Sequence, residues 1–419
     1  MTSAIDSAPS TRIQRDVVEG GDLTCNFSGV LTLSHPISLE PRWQYFLYSR
    51  DILKAMEITL DFINTERCGI NLPNGDNMKI ELITYDDKSD KETVRSIIEN
   101  TLLDNSASFP TPDYYLGPYS SGLTGIQAPL TQQAGKLTIA GGSASTAVFR
   151  DRNLTFGTIP PAHVYLDTAI ALLAKAGVKT IASFHEDVSF TTQLCGSLSE
   201  LCEEYGIELI RQESVPNHPT KEMLDPIAKN FSFIEEPPDA VVSCVYETGC
   251  LSWIQSMRAA NWSPKAQVLT TCIGMDSFEA AVGLKDAEYL TGVSPWDKSM
   301  QVQDHITGWS AKEFSDLFFN HTLRSATYQG ASGGSTVSIL VQALEKAIDW
   351  KDTNEIASIL ATETFETFYG DISFDVNGQS KSPLVTMQYH RDMKKLVALS
   401  VFPEEHTSVD FVYPMPTVS

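Results

Sequence analysis

The sequence predicts an α/β protein with two lobes, each built on a doubly wound parallel sheet. Three observations support this prediction. Short apolar runs alternate with amphipathic helical segments, which is typical of parallel sheets. The alternation restarts after Pro160 and Pro161, which cannot continue a central strand or a helix interior. The chain has 419 residues, too many for one ordinary core and suited to two domains of about 150–200 residues each.

The first lobe begins with strand-like and helix-like segments in strict alternation. Its predicted strands are 27–34, 79–87, 113–117 and 136–142, and its predicted helices are 49–64, 91–103 and 123–135. Gly135 follows the third helical pattern, where a left-handed residue commonly ends a helix. The order is that of a parallel sheet with helical crossovers.

The second lobe repeats the same order. Its predicted helices are 163–176, 189–205, 219–230 and 248–260, and its predicted strands are 180–186, 207–214, 239–246 and 266–272. Two more helices, 309–320 and 333–348, follow. The run 369–390 predicts a hairpin, because apolar residues alternate on both sides of a turn at Asn377 and Gly378.

Composition and charge exclude several classes of protein. Hydrophobic residues make up 42% of the chain and charged residues 20%, as in a globular protein. A net charge of −23 repels phosphate backbones and anionic lipids, so no nucleic acid or membrane surface is expected as a partner. No apolar run is long enough to span a bilayer, so a membrane is expected only through a missing segment or a partner.

The two ends of the chain are expected to lie outside the lobes. Residues 1–26 have the character of a polar, disordered lead without the apolar stretch of a secretory signal, and residues 403–419 form a C-terminal tail. The chain is therefore expected to be a piece excised from a larger protein.

The seven cysteines form no CxxC motif and no Cys/His cluster with metal-ligand spacing, so no metal site is predicted. Cys195 and Cys202 lie seven positions apart on a predicted helix, too far to bridge to each other. We expect most cysteines to be buried thiols. Cys25 and Cys68, in loop-like surroundings, are the one pair to test as a disulfide.

Five Asn-x-Ser/Thr sequons occur where chance gives roughly two or three. They favour a secreted eukaryotic glycoprotein. The acceptor residues are Asn26, Asn153, Asn230, Asn261 and Asn320.

Two hydroxyl-rich turns follow neighbouring predicted strands of the first lobe. Ser120 and Ser121 precede a predicted helix, and the turn 141–146 follows the next strand. Ligands bind at the carboxyl ends of parallel strands, and helix N-termini favour anions there. The two turns should lie side by side and suit a carboxylate or a similar oxyanion. The alternative is that both serines only cap their helix, which stabilises it by about 1 kcal/mol.

An enzyme is not predicted. The sequence contains no HExxH or P-loop motif, and its histidines lie near no nucleophile pattern. The glycine-rich stretch at 330–334 lacks the spacing of a phosphate loop. Acid pairs such as Asp86-Asp87 and Glu235-Glu236 are expected to be exposed. No catalytic residue and no cofactor are therefore assigned.

Five stretches carry a resemblance to a known family. They are AMEITLDFINTERCGI (55–70), YDDKSD (85–90), YLGPYSSGLTGIQAPLTQQAGKLTIAGGSAS (115–145), DAVVSCVYETGCLSWIQSMRAANWSPKAQVLTT (239–271) and GDISFDVNGQ (370–379). In this order, from about residue 27 to 402, the chain resembles the type I periplasmic-binding-protein superfamily. Within it, the resemblance is to the leucine/isoleucine/valine-binding group of ABC transporter substrate-binding proteins and to related ligand-binding regions of receptors.

This resemblance implies two Rossmann-like lobes, joined by a hinge of three crossings, that close on a small ligand. Lobe one would comprise 27–158 and 297–367, and lobe two 160–291 and 372–402. The crossings would fall at 158–161, 292–296 and 368–371. The hinge residues would be Pro160, Pro161, Pro295 and Trp296.

The resemblance also implies a set of ligand-binding residues. Ser121 matches the serine that holds a ligand carboxylate, and Phe190 and Tyr246 match aromatic positions of the second lobe. Each aromatic residue has core packing as its alternative role. The full set is Tyr48, Ser120, Ser121, Gly142, Ser143, Ala144, Ser145, Phe190 and Tyr246.

One position departs from the family pattern. Amino-acid binders of this group have an acid that pairs with the ligand ammonium, and this chain has Cys272 there. Glu247 and Asp187 are the candidates to replace that acid, although both are expected to be solvated. A buried ammonium without a charged partner is costly, so a carboxylate-bearing or neutral polar ligand fits better than a free amino acid.

Two functions follow from the resemblance. The first is the sensor region of a receptor, extracellular and linked to signalling, with a homodimer formed through lobe one. The alternative is the solute-binding component of an ABC-type uptake system for amino acids or amides. In either case Ser121→Ala is expected to weaken binding with little loss of stability.

Overall fold

The structure is a computed structural model, and it describes residues 25–103, 106–392 and 395–416. The expected disordered lead lies outside the described residues except for Cys25 and Asn26. The described residues form two compact units. Unit 1 runs through Pro160 and includes Gln301–Ser382, whereas unit 2 comprises Pro161–Met300 and the described residues from Pro383 onward.

Strands and helices alternate along most of the chain. The strands are β1 Gly29–Ile37, β2 Ile70–Asn71, β3 Asn77–Asp86, β4 Tyr114–Leu116, β5 Thr138–Ala140, β6 Thr155–Gly157, β7 Thr180–Glu186, β8 Glu208–Val215, β9 Ala240–Cys244, β10 Ala266–Leu269, β11 Thr291–Ser294, β12 Phe365–Thr367, β13 Gly370–Ile372, β14 Val385–Asp392 and β15 Lys395–Phe402. The α-helices are α1 Phe46–Thr65, α2 Lys91–Leu103, α3 Ser121–Gln133, α4 Asp167–Lys175, α5 Ser189–Gly196, α6 Leu198–Tyr205, α7 Lys221–Ser232, α8 Glu247–Ala260, α9 Asp276–Val282, α10 Leu284–Ala287, α11 Ala311–Thr322, α12 Tyr328–Leu344 and α13 Thr353–Thr362. None of these helices has the length and apolar character needed to cross a bilayer.

Each unit contains one large sheet. The sheet of unit 1 has the order β2-β3-β1-β4-β5-β6 and is parallel except for β2. The sheet of unit 2 has the order β15-β14-β11-β10-β9-β7-β8, and only β14 and β15 run antiparallel to their neighbours. The predicted α/β fold with a mainly parallel sheet in each lobe is confirmed.

The core of unit 1 is organised around α12, all of whose residues are buried. Glycines let this helix approach α1 closely: a Cβ added at Gly333 would lie 3.0 Å from the Cα atom of Ile52. A Cβ at Gly334 would lie 2.8 Å from a ring carbon of Phe368. The glycine-rich stretch at 330–334 therefore serves close helix packing.

The prediction of one hairpin over 369–390 is wrong. The turn forms, because the Asp375 carboxylate accepts the main-chain N–H groups of Asn377 and Gln379 at 2.8 and 2.9 Å. After the turn, however, β14 pairs with β11 and β15, which bury it on both sides. Residues 372–382 consequently belong to unit 1 and not to lobe two, and 297–300 belong to unit 2.

Three disulfides correct the expectation that most cysteines are free thiols. The expected pair Cys25–Cys68 is formed. The pairs Cys195–Cys244 and Cys250–Cys272 are also formed, and among the described residues only Cys202 is free. The cysteines of the two pairs in unit 2 are 49 and 22 residues apart in the sequence. They meet only because the sheet of unit 2 aligns its strand ends, which sequence spacing does not reveal.

Gly333→Ala is expected to lower the free energy of unfolding by about 1–3 kcal/mol, because the added methyl group meets the backbone of α1. Urea unfolding followed by circular dichroism measures this change. Gly196→Ala is the matched control: it lies in α5 with no atom within 4 Å of the added Cβ, so it should be neutral or stabilising by up to about 1 kcal/mol. Equal destabilisation by both substitutions would contradict the packing argument.

Candidate functional site

The candidate site of unit 1 lies at the carboxyl ends of its parallel strands. We call this region loop edge 1 and define it as residues 38–45, 87–90, 117–122 and 141–146, which follow β1, β3, β4 and β5. Parallel strands end at the same side of a sheet, so these four loops are neighbours. Loop edge 1 contains most of the predicted ligand-binding residues.

Ser121 joins the two hydroxyl-rich turns. Its Oγ accepts the main-chain N–H groups of Ala144 and Ser145 at 3.1 and 3.0 Å, and the hydroxyl of Ser143 at 3.4 Å. The two turns therefore lie side by side, as the sequence predicts. The two shorter bonds, from Ala144 and Ser145, occupy the two lone pairs of this oxygen, so any further strong hydrogen bond of Ser121 uses its hydroxyl group as the donor.

Ser120 has the N-cap position of α3, yet its side chain makes no capping bond. Its Oγ is buried and has no hydrogen-bond partner among the described residues. Its carbonyl oxygen, in contrast, accepts the N–H and the hydroxyl of Thr124, both at 2.9 Å. The backbone is thus fixed while one buried hydroxyl is left over, and buried polar groups without partners are rare enough to require an explanation.

Aromatic side chains stand beside these serines. Tyr48 stacks on Tyr119 with ring centroids 4.7 Å apart, and Tyr45 meets Tyr119 edge-on at 5.6 Å. Gly142 is required next to them, because a Cβ there would lie 2.7 Å from the ring of Tyr119. Sequence reasoning missed Tyr119, although it directly precedes the two serines.

Asp87 is fully buried, which corrects the expectation that the Asp86-Asp87 pair is exposed; Glu235 and Glu236 are exposed. Its Oδ1 accepts the hydroxyl of Ser38 at 2.6 Å and the N–H of Ser89 at 2.8 Å. Its Oδ2 has no partner among the described residues. Burial raises the pKa of Asp87 to about 7, although these two hydrogen bonds act in the opposite direction.

The corresponding loops of unit 2 hold Phe190 and Tyr246. Phe190 lies in α5 and Tyr246 at the N-cap of α8, with ring centroids 6.1 Å apart. Tyr165 meets Phe190 edge-on at 5.5 Å. The structure therefore brings the two predicted aromatic residues together, and both are largely buried.

No acid takes the place of the family's ammonium-binding acid at Cys272. Cys272 is buried in its disulfide with Cys250. Glu247, expected to be solvated, is buried and accepts the hydroxyl of Ser277, whereas Asp187 is exposed as expected. Sequence reasoning missed Glu186, which ends β7 and accepts the N–H of Tyr246 at 2.9 Å.

The predicted hinge residues lie near the ends of unit segments. Pro160 and Pro161 stand on either side of the first boundary between the units. Pro295 and Trp296 follow β11 within unit 2, where the hydroxyl of Ser294 bonds to the carbonyl oxygen of Trp296 at 2.6 Å. Their role in a hinge stays a prediction.

A family model described as periplasmic binding protein matches residues 47–394. The chain belongs to the periplasmic binding protein family. The match establishes the family and its type I fold.

Solved structures of bacterial binding proteins share the fold. The leucine-binding protein LivK of Thermotoga maritima aligns with a TM-score of 0.74 at 16% identity, over 90% of this chain and 99% of that one. LivJ of Streptococcus pneumoniae, in complex with isoleucine, has a TM-score of 0.73 at 16% identity, over 89% and 100%. A solute-binding protein of R. palustris, in complex with 4-hydroxybenzoate, has a TM-score of 0.75 at 12% identity, over 93% and 98%. All three are described as binding proteins.

Asp87→Asn is expected to flatten the pH dependence of stability. The Asp87 carboxyl keeps its proton up to about pH 7 in the folded protein but only up to about pH 4 in the unfolded chain. It therefore stabilises the folded state fully below pH 4, and this stabilisation is lost as the pH rises toward 7. Between about pH 4.5 and 7.5 the wild type should lose on the order of 1–3 kcal/mol relative to the variant.

Urea unfolding at both pH values tests this. Glu235→Gln, on an exposed side chain, controls for the loss of one charge. Parallel pH profiles of the wild type and Asp87→Asn would contradict the assignment.

Ser121→Ala is now expected to destabilise the free protein by about 1–3 kcal/mol, because the buried N–H groups of Ala144 and Ser145 lose their acceptor. This corrects the expectation of little loss. Ser120→Ala, which breaks no bond among the described residues, should change the free energy of unfolding by less than about 0.5 kcal/mol. Denaturant unfolding of both variants decides the point, and equal effects would refute the described network.

Proposed function

We propose that this protein is an extracellular or periplasmic solute-binding protein that holds a small organic acid by its carboxylate at loop edge 1. One observation carries the proposal: the Ser120 hydroxyl is buried without a partner among the described residues, and Ser120 directly precedes Ser121, whose oxygen already accepts donors from the turn after β5. Both lie at the N-terminus of α3, where the helix dipole favours an anion. The arrangement supplies donors to a carboxylate without supplying a formal charge.

The acids near the predicted binding residues favour a ligand without an ammonium group. Cys272 is held in a disulfide, and the side chains of Glu186 and Glu247 already accept protein donors. Burial raises the pKa of Asp87 to about 7, so an ammonium group bound there would also have to ionise a carboxyl that is partly protonated at neutral pH. We therefore propose an organic acid of the benzoate kind in preference to an amino acid.

Aromatic side chains near both predicted contact regions agree with a planar, apolar ligand body. Tyr48 and Tyr119 lie beside the serines of unit 1, and in unit 2 the rings of Phe190 and Tyr246 are tilted relative to each other with centroids 6.1 Å apart. Flat aromatic surfaces suit an aromatic ring by stacked or edge-on contact. The solved relative from R. palustris is in complex with 4-hydroxybenzoate, which shows that this fold accommodates such acids.

Of the two roles expected from the sequence, uptake is favoured over a receptor. Two of the three solved structures quoted above are described as binding components of transporters. Dimerisation through lobe one, expected for a receptor, stays untested. Three disulfides agree with an oxidising compartment such as the periplasm or the cell exterior. The five sequon asparagines are all exposed, so glycosylation is compatible with the fold and remains a proposal.

A ligand panel tests the proposed function. Benzoate and 4-hydroxybenzoate should raise the melting temperature in proportion to the logarithm of their concentration, because they bind only the folded protein. Benzamide and benzyl alcohol, which lack the carboxylate, should have much weaker effects, and isoleucine should be weaker than benzoate. Binding of isoleucine with no response to any benzoate would refute the proposed ligand class.

Ser120→Ala provides the matched variant. It should weaken benzoate binding by about 1–3 kcal/mol in isothermal titration calorimetry while leaving the melting temperature of the free protein unchanged. An unchanged affinity would remove Ser120 from the site.

A further inference from the structure

We infer that Glu186 and the disulfides Cys195–Cys244 and Cys250–Cys272 fix the Tyr246 turn of unit 2 before ligand binds, so that this aromatic face is preorganised. We define the Tyr246 turn as residues 245–250. The inference deepens the proposed function, on which its binding arm rests. Glu186 acts here as a positioning residue that works through Tyr246.

The Tyr246 turn is covalently held on both sides. Cys244, the last residue of β9, is bonded to Cys195 of α5, the helix that also carries Phe190. Cys250, in the first turns of α8, is bonded to Cys272, which follows β10. The two disulfides therefore tie the turn to the helix before it and to the loop after it.

Glu186 fixes the same turn by hydrogen bonds to its carboxylate. Its Oε1 accepts the N–H of Tyr246 at 2.9 Å, and its Oε2 accepts the N–H of His218 at 3.3 Å. Its carboxylate thereby joins the end of β7, the loop after β8 and the start of α8. Gly249 makes room for it, because a Cβ there would lie 3.0 Å from the Oε1 atom.

Placing the Glu186 carboxylate in the interior costs free energy. Burial raises the pKa of Glu186, although the hydrogen bonds from Tyr246 and His218 act in the opposite direction. A stable α8 does not require this group, since other N-cap residues satisfy first-turn N–H groups from the solvent side. The arrangement instead removes the freedom of the one backbone segment that orients Tyr246 toward Phe190, and such preorganisation raises affinity by lowering the ordering cost of binding.

The test uses the full chain with its disulfides formed. Cys250→Ala/Cys272→Ala should raise amide hydrogen exchange at residues 245–250 by about tenfold or more, and Glu186→Ala should do the same. Cys25→Ala/Cys68→Ala is the matched control, because it also removes one disulfide but lies in unit 1. The control should leave exchange in the Tyr246 turn unchanged. Equal exchange in the wild type and in both unit 2 variants would overturn the inference.

Glu186→Gln separates positioning from general stability. Its amide oxygen still accepts the N–H of Tyr246, so exchange in the turn should return most of the way to the wild-type level. If the alanine variant does not fold, the glutamine and cysteine variants still decide the matter. If amide hydrogen exchange at residues 245–250 is as fast in Glu186→Gln as in Glu186→Ala, Glu186 is not a positioning residue.

Affinity gives the second measurement. With benzoate as the probe, the unit 2 variants should lose about 5- to 50-fold in affinity by calorimetry, mainly through faster dissociation, whereas the Cys25/Cys68 control should lose none. If benzoate binds the wild type and all variants alike, the inference fails and the proposed function stands. If benzoate does not bind the wild type, the proposed function fails, and hydrogen exchange alone judges the inference.

Discussion

The hydrogen bonds to the Ser121 hydroxyl are the constraint on which the proposed site depends. They tie the turn after β4 to the turn after β5 through a single buried oxygen that accepts from Ala144, Ser145 and Ser143. Because this oxygen is fully used as an acceptor, the group can offer only its hydrogen. A neutral hydroxyl becomes a directed donor in this way, and Ser120 supplies a second hydroxyl at the same helix end.

The two units use different means to hold their loops. Loop edge 1 is organised by small residues and hydroxyl groups, with Gly142 pressed against Tyr119 and Asp87 buried between Ser38 and Ser89. The loops of unit 2 are organised by covalent bonds and a buried acid. In unit 1 these constraints fix the positions of hydrogen-bonding groups, and in unit 2 they fix the turn that carries an aromatic side chain.

Much of the fold could be predicted from the sequence, because periodicity and chain punctuation are local properties. The strand at 180–186 and the helix at 91–103 have the predicted bounds. The hairpin at 369–390 could not be predicted, because strand pairing is decided by which neighbours bury β14 and not by the turn chemistry at Asn377. The same limit applies to the disulfides Cys195–Cys244 and Cys250–Cys272, whose partners meet only in the assembled sheet.

For the site, sequence reasoning found the hydroxyl turns but not their chemistry. It placed Ser121 beside residues 143–145, yet only the structure shows which atoms accept and that Ser120 has no partner among the described residues. It treated Asp87 as an exposed charge because burial of a strand-end acid depends on the packing of distant loops. Glu186 was missed for the same reason, since the two N–H groups that it accepts come from the loop after β8 and from the start of α8.

A crystal structure of the protein grown with benzoate tests the central claim most directly. The account predicts the carboxylate within hydrogen-bond distance of the Ser120 and Ser121 hydroxyl oxygens, with the bonds from Ala144 and Ser145 to Ser121 preserved. A carboxylate bound elsewhere on the molecule, with the Ser120 hydroxyl still lacking a partner, would contradict it.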